Sequence, residues 1–325
     1  MGKTKPTFRP LSRFNARVVE WFWEPYIPAG MITIMEGDPG EGKSFLAMYF
    51  ASMVSVGGKL PDGRQLELGG VLYVSAEDDP HYTIRPRIDA MGGDARNIRV
   101  LVSDLMLDAD GFDKLRAELT NHDITLIIID PLMAFMPEKT DVHRSNAVRP
   151  VLSAMKVIAE EFGCTVLFVR HLTKMKHDKA IYQGGGSIDF IGAARSALLV
   201  TTNPADDQQK IVLHIKHNVG PKGQSWAYRL VSDPKDSLPR VKWEGPSSVT
   251  INDLAMGNRS GSPAPRDDAA DFLRNFLNEG TRKASDVEKA AAAVAITKRT
   301  LIRAKQDLGI KSNQRNREWW WRLPD

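Results

Sequence analysis

The sequence predicts an α/β protein: a mainly parallel sheet with helices on both faces, an antiparallel hairpin at one edge, and a small second domain. Three observations predict it. Short apolar runs alternate with helix-patterned segments across residues 31–201. One strand-like run passes directly into Gly37-Asp38-Pro39-Gly40-Glu41-Gly42-Lys43-Ser44 and then into a helix-like run. The composition then changes at EGPSSVTINDLAMGNRSGSPAPR (244–266), which is rich in Ser, Gly and Pro and has no strong periodicity. Such a stretch has the character of a linker.

The elements follow in order. MITIME (31–36), VLYVSA (71–76), IRVLVS (98–103), LIIID (126–130), TVLFVR (165–170) and ALLVT (197–201) are candidate strands. Several are apolar at successive positions, as strands covered on both faces are. SFLAMYFASMV (44–54) and VLSAMKVIAEEF (151–162) are candidate helices between them, with Pro150 expected near the start of the second, where a missing N–H costs little. Alternation of strand and helix argues for a parallel sheet. QKIVLHIKH (209–217) and SWAYRLV (225–231) flank Gly220-Pro221 and form the expected edge hairpin. The expected organisation is a nucleotide-binding domain over 14–245, a linker over 246–265 and a small domain over 266–325.

Composition narrows the class. Of 325 residues, 42% are hydrophobic and 26% charged, ordinary values for a globular protein. No apolar run approaches the roughly 20 residues of a membrane span. MGKTKPTFRPL lacks the apolar core of a signal peptide, and Pro6 stands where a myristoylation signal wants Ser or Thr. The single cysteine, Cys164, excludes an internal disulfide and precedes an apolar strand, so a reduced, buried role and a cytoplasmic location are expected. The net charge of +4 is uneven: residues 266–325 hold 13 Lys and Arg against 9 Asp and Glu, and the remainder balances at 31 and 31. Cationic surface attracts phosphate backbones, although a basic tail with no such role has the same composition.

The octet 37–44 has the form G-x-x-x-x-G-K-[ST], with a strand before it and a helix after it. Its glycines let the backbone wrap a phosphate with successive N–H groups pointing inward, and the helix start adds a positive end. Gly37, Asp38, Pro39, Gly40, Glu41, Gly42, Lys43, Ser44 and Phe45 are therefore the expected nucleotide contacts, with Lys43 on the β and γ phosphates of ATP and Ser44 on Mg²⁺. LIIID delivers Asp130 to a strand end as the second acid on the Mg²⁺ side, or as the start of an Asp-Pro turn. Glu77, Asp78 and Asp79 end another strand. Glu77, nearest the strand, is the candidate base for an attacking water, and the alternative is that the three acids cap the next helix. His171 ends TVLFVRH at the same sheet edge, where it could hydrogen-bond a γ-phosphate or serve only as a cap.

WFWEPYIPAGMITIMEGDPGEGKSFLA, VLYVSAEDDPHYTIRPRIDAMG, IIIDPLMAF, LFVRHLTK and GGGSIDFIGAARSALLV together resemble the RecA-like AAA-family ATPases of the RepA replicative-helicase type, across about residues 14–232. The resemblance implies a RecA-like P-loop core, ATP hydrolysis, and a homo-oligomeric ring, often a hexamer on single-stranded DNA. It assigns Lys43 and Ser44 to phosphate and Mg²⁺, Glu77 to catalysis, Asp130 to Mg²⁺ and His171 to sensing the γ-phosphate. KMKHDKAIYQGGGS (174–187) matches the loop that faces DNA in the ring channel, with Lys174, Lys176 and Lys179 as cations; a plain surface loop would have the same composition. Related ring helicases end the strand before the Gly-Pro turn in Lys-x-Arg, and both cations reach the neighbouring subunit's ATP. This chain has Lys216 but Asn218 in place of the arginine. Lys216 would then act alone, or with Arg195, whose bland role is to satisfy carbonyls at a helix end.

The last 60 residues pattern as three helices and a hairpin. RDDAADFLRNFLNEG (266–280) places Phe272, Leu273, Phe276 and Leu277 on one face. ASDVEKAAAAVAI (284–296) and TKRTLIRAKQDLG (297–309) follow, with Thr297 as N-cap of the latter, and then IKSNQRNREWWWRLP (310–324). This resembles a winged helix-turn-helix. Lys298, Arg299, Arg303 and Lys305 on its third helix and Lys311, Arg315 and Arg317 on its wing would contact duplex DNA. Winged helices also bind proteins, and the three tryptophans could simply fill the core. The expected function is a DNA-coupled ATPase of ring-helicase type; the alternatives are a non-unwinding regulator or loader and a recombination ATPase.

Overall fold

Apolar runs that serve two faces at once build the centre of this molecule. A computed structural model describes residues 8–137, 145–172, 188–234, 236–257, 265–278, 280–293, 296–315 and 318–323. The chain divides into two compact units, Met1–Ile251 and Asn252–Asp325.

The first unit contains, in order, β1 (Trp21–Trp23), β2 (Ile27–Pro28), β3 (Ile32–Gly37), α1 (Lys43–Val56), β4 (Gly70–Ser75), α2 (Arg85–Ala90), β5 (Ile98–Val100), α3 (Ala109–Asn121), β6 (Ile124–Asp130), α4 (Ser145–Phe162), β7 (Thr165–His171), α5 (Ile188–Ala193), β8 (Ser196–Asn203), β9 (Asp206–His217), β10 (Ser225–Ser232) and β11 (Pro239–Ser247). A nine-stranded sheet runs β11-β10-β9-β8-β3-β7-β6-β4-β5. The six strands from β8 to β5 are parallel, and β9, β10 and β11 continue antiparallel. This is the α/β fold expected, with its mostly parallel sheet.

Period-two alternation splits the central strands between two cores. Leu126 and Ile128 of β6 face one core with Leu46, Phe50, Leu167 and Val169. Ile127 and Ile129 face the other with Leu152, Met155, Val166 and Phe168. The first core extends into an aromatic cluster: Trp23 lies 4.3 Å from Tyr26, 5.7 Å from Phe50 and 5.6 Å from Trp243, ring centre to ring centre. The cluster fastens β1 and β11 against α1. Cys164 is buried in the second core, and burial raises its thiol pKa to about 11.

Three expectations need correction. The 209–217/225–231 hairpin forms, but it is not the sheet edge, because β11 pairs outside β10. β11 carries Pro239, Gly245 and Pro246, which an edge strand tolerates, so it lacked an apolar signature. The expected linker begins inside this strand and also contains α6 (Ile251–Gly257). Helix α4 starts at Ser145, so Pro150 lies inside it rather than near its start.

The second unit holds α7 (Pro265–Leu277), β12 (Arg282–Lys283), α8 (Ala284–Ala293), α9 (Lys298–Asp307), β13 (Lys311–Arg315) and β14 (Glu318–Arg322). Its strands form an antiparallel sheet in the order β12-β14-β13. Ala269, Leu273, Leu277, Val287, Leu301, Ile310 and Trp321 fill its core. Thr297 caps α9, its Oγ1 accepting from the Thr300 N–H. Among the described residues no helix is long and apolar enough to cross a membrane.

A buried polar chain holds the turn after β9. Gly223 N–H donates to His214 Nδ1 at 2.9 Å, which leaves Nε2 to donate to Ser196 Oγ, 3.0 Å away. Ser196 Oγ in turn donates to the Tyr26 carbonyl. Burial, reinforced by the nearby His217, lowers the His214 pKa from 6.5 to about 4. The unfolded chain therefore binds this proton at a higher pH than the folded chain. Stability from neutral His214 is complete above pH 6.5 and is lost as the pH falls toward 4. The loss reaches on the order of 3 kcal/mol. Thermal melts between pH 7 and 4 should show this slope in the wild type and a flatter one in His214→Gln; equal slopes would contradict the assignment.

Candidate functional site

The register of four neighbouring strands brings the site together. Gly37 at the end of β3 pairs with His171 at the end of β7, and Ser75 at the end of β4 pairs with Asp130 at the end of β6. All four ends lie on the carboxyl edge of the sheet, where open α/β sheets bind ligands.

The loop between β3 and α1 is built for anions. Gly40 and Gly42 take φ of +83° and +84°, a left-handed conformation that turns successive N–H groups inward. Gly37 is required for a different reason: a Cβ there would lie 2.1 Å from the Val200 carbonyl oxygen of β8. Lys43 is buried, and its Nζ donates to the carbonyls of Gly37 at 2.8 Å and Asp38 at 2.7 Å. Burial lowers the Lys43 pKa, while Asp130, Glu41, Asp38 and Glu77 oppose the shift and favour the charged form.

Ser44 hydrogen-bonds the Asp130 carboxylate, which also accepts from Tyr73 Oη at 3.2 Å. Burial raises the Asp130 pKa, and these two hydrogen bonds pull it back. A hydroxyl and a carboxylate held together beside an anion loop fit the donor preference of Mg²⁺. Among the described residues no group of three or more His, Cys, Asp or Glu could hold a metal, so Mg²⁺ here would depend on nucleotide oxygens for further ligands.

The three acids after β4 have separate tasks. Asp79 caps the following turn, accepting from the His81 and Tyr82 N–H groups at 2.8 and 2.9 Å. Asp78 faces Arg87 at 3.4 Å, and the Arg87 guanidinium stacks 4.1 Å over the Phe45 ring. That chain of contacts ties the acidic turn to α1. Glu77 has its side chain 64% exposed and sets Oε2 3.7 Å from His171 Nε2. Among the described residues His171 Nδ1 is buried without a hydrogen-bond partner. Lys43, Ser44, Asp130, Glu77 and His171 thus share one sheet edge.

Lys216 and Arg195 lie elsewhere. Lys216 pairs with Ala197 near the start of β8, and the Arg195 N–H donates to the Ile32 carbonyl at 3.1 Å. They lie toward the opposite sheet edge: by strand rise along β3, Arg195 is about 17 Å and Lys216 about 10 Å from the level of Gly37. Lys216 Nζ donates to the carbonyls of Ile191 and Gly192 at the end of α5, the latter at 3.0 Å. Burial, then repulsion from Arg195, lowers the Lys216 pKa. The Arg195 side chain is exposed.

Sequence reasoning missed the residues that brace the loop from outside. The Glu41 carboxylate accepts from Thr202 Oγ1 at 2.6 Å and Lys210 Nζ at 3.0 Å. Tyr73 and Tyr228 were also overlooked, because a buried tyrosine is indistinguishable from core in sequence. A polar Thr-Lys pair on two successive strands could have been noticed as facing the loop.

Lys174, Lys176, Lys179 and Arg317 lie outside the described residues. In the second unit, Arg303 and Lys311 are exposed, and Arg299 and Arg315 fall within α9 and β13. Lys298 is held by Glu288 at 2.9 Å. Lys305 is corrected: its Nζ sits 4.4 Å over the Trp321 ring and bonds Ser312, so it packs against the fold. The tryptophans divide, with Trp321 buried and Trp319 53% exposed.

Comparison with known proteins agrees with this geometry. DNA repair protein RadA of Streptococcus pneumoniae (strain ATCC BAA-255 / R6) is 28% identical to the chain over 148 residues, 45% of this chain and 31% of that protein. The match therefore spans less than a third of the relative's length. The AAA domain family matches residues 7–177, more than half of the chain. With its anion loop at the head of a mostly parallel sheet, the chain belongs to the AAA domain family and has a RecA-like P-loop core.

Proposed function

We propose that the protein hydrolyses ATP and couples hydrolysis to DNA as a ring-forming, helicase-like ATPase of the cytoplasm. The observation that carries the ATPase reading is the convergence of Lys43, Ser44, Asp130, Glu77 and His171 at one sheet edge. Lys43, now turned onto loop carbonyls, exchanges them for the β and γ phosphate oxygens. Ser44 and Asp130 would hold Mg²⁺, which would supply positive charge against the developing phosphate charge. Glu77 orients and deprotonates the attacking water, being the one acid of its turn not engaged by a cap or a guanidinium. His171 contacts the γ-phosphate and passes its loss to the segment that follows β7.

Lys216 and Arg195 stand too far from their own chain's loop to act on its nucleotide. A charge supplied from that edge must serve a neighbouring copy, which supports a closed ring with sites between subunits. The channel cations would be Lys174, Lys176 and Lys179, gripping single-stranded DNA. The second unit has the element order of a winged helix, and Arg299, Arg303, Lys311 and Arg315 would meet duplex phosphates, with Lys298 shared with Glu288.

The similarity to a DNA repair protein favours a second reading, an ATPase acting in repair or recombination without unwinding. Strand displacement on a forked duplex with ATP separates the two: the helicase reading expects displacement, and DNA binding without displacement supports the second.

Glu77→Gln should lower kcat by roughly 100-fold or more while nucleotide still binds, whereas Lys43→Ala should lose binding. Steady-state ATPase and a fluorescent ATP analogue measure both; near-normal turnover in Glu77→Gln would remove it from the mechanism. Lys216→Ala alone should be inactive, and mixing it with Lys43→Ala should restore part of the ATPase at mixed interfaces. Full activity of Lys216→Ala alone would exclude the intersubunit role. Anisotropy of the full chain with duplex DNA should show affinity falling as salt rises, with Arg303→Ala and Lys311→Ala each lowering the log–log slope by about 1. Salt-independent binding would overturn the DNA contact.

A further inference from the structure

The anion loop of this protein contains a liability. Besides its lysine it carries two carboxylates, Asp38 and Glu41, in a segment whose task is to surround polyphosphate. A carboxylate free to swing inward would oppose the ligand's charge at short range. The antiparallel part of the sheet answers this for Glu41.

Thr202 of β8 and Lys210 of β9 are directly paired across the two strands. Lys210 Nζ donates to Thr202 Oγ1 at 2.7 Å and to Glu41 Oε2 at 3.0 Å, and Thr202 Oγ1 donates to the same oxygen at 2.6 Å. The three groups close a triangle in which every member bonds the other two. Lys210 and Glu41 have only 16% and 19% of their side chains exposed, so the pair is poorly screened by water. β10 adds a third contact: Tyr228, paired with Lys210, sets its hydroxyl 3.4 Å from the Glu41 carbonyl and 3.5 Å from that of Gly42. The outer wall of the loop is thus three antiparallel strands, and the loop's second acid is its anchor.

We propose that Lys210, together with Thr202, is a positioning residue for nucleotide binding. It holds the Glu41 carboxylate down on β8 and β9, away from the phosphates, and matches its charge. The inference rests on the nucleotide-binding reading above and concerns the binding step alone, since Lys210 touches neither the Ser44–Asp130 pair nor Glu77. Removing the ammonium releases a half-buried carboxylate beside the phosphates and leaves it unpaired. Removing both charges together relieves that penalty, so the two substitutions must be strongly non-additive. A purely structural strut would show no such rescue.

The experiment uses the full chain with Mg²⁺, reading ATPase kinetics, binding of a fluorescent ATP analogue, and melting temperature. Lys210→Met should raise KM and weaken analogue binding by roughly 10- to 100-fold, with kcat changed by less than about threefold. Glu41→Gln/Lys210→Met should restore KM to within about threefold of wild type. Lys210→Arg should keep near-normal KM, because it retains the charge. The proposal is overturned if Lys210→Met leaves KM unchanged, or if KM rises and the double variant does not recover it. A fall in kcat and melting temperature together, without rescue, would likewise mark Lys210 as structural only. Failure of the wild-type chain itself to bind the analogue would instead overturn the nucleotide-binding reading, and this inference with it.

Discussion

The structure depends on the seating of β3 between β7 and β8. Parallel pairing on both sides fixes the level at which β3 ends, and that level places Gly37 beside His171 and against Val200. A shift of one residue would turn Ile32 and Ile34 toward the core that Met35 now enters. The two cores could not both be filled, since each takes alternate residues from the same strands. Burial of the sheet on both faces is therefore what holds these groups at one sheet edge. The site inherits its precision from packing rather than from its own polar contacts.

The two ends of this sheet have different chemistry for a simple reason. Strand ends at the carboxyl edge open into turns that carry acids and the anion loop, with α1 presenting its N-terminus there. At the other edge β8 begins and β9 ends, and the cations Arg195 and Lys216 gather there. β9 spans the distance between them: Lys210 touches the loop at one end and Lys216 meets the α5 carbonyls at the other. One strand thus joins the anion loop to the opposite edge of the sheet.

Much of the parallel core was legible in sequence because buried strands announce themselves by apolar runs, and because the loop motif needs its strand and helix in fixed places. The candidate lysine and serine were legible from the loop motif, and the candidate aspartate, glutamate and histidine as residues at or just after the ends of those runs. What escaped followed different physics. β11 is half-exposed, interrupted by Pro246 and bulged at Gly245, so it has neither an apolar run nor clean alternation. Thr202, Lys210 and Tyr228 belong to the site only through strand pairing between segments distant in sequence from the loop, which no local pattern encodes. The capping role, weighed in sequence for all three acids of the turn, falls to Asp79, which accepts from backbone N–H groups. Lys305 looked like surface charge because a cation packed on an indole has the same sequence signature as a solvated one.

The electrostatics of the loop follow from this enclosure. Burial of Lys43 favours its neutral form, yet the loop needs its charge. Asp130, Glu41, Asp38 and Glu77 all act in the opposite direction, so the acids around the site favour the charged form of this lysine. Asp130 is held by Ser44 and Tyr73, and Glu41 by Thr202 and Lys210. Asp38 and Glu77 instead lie at exposed positions. The distribution of hydrogen bonds among these acids, more than their number, separates the anchored carboxylates from the exposed ones.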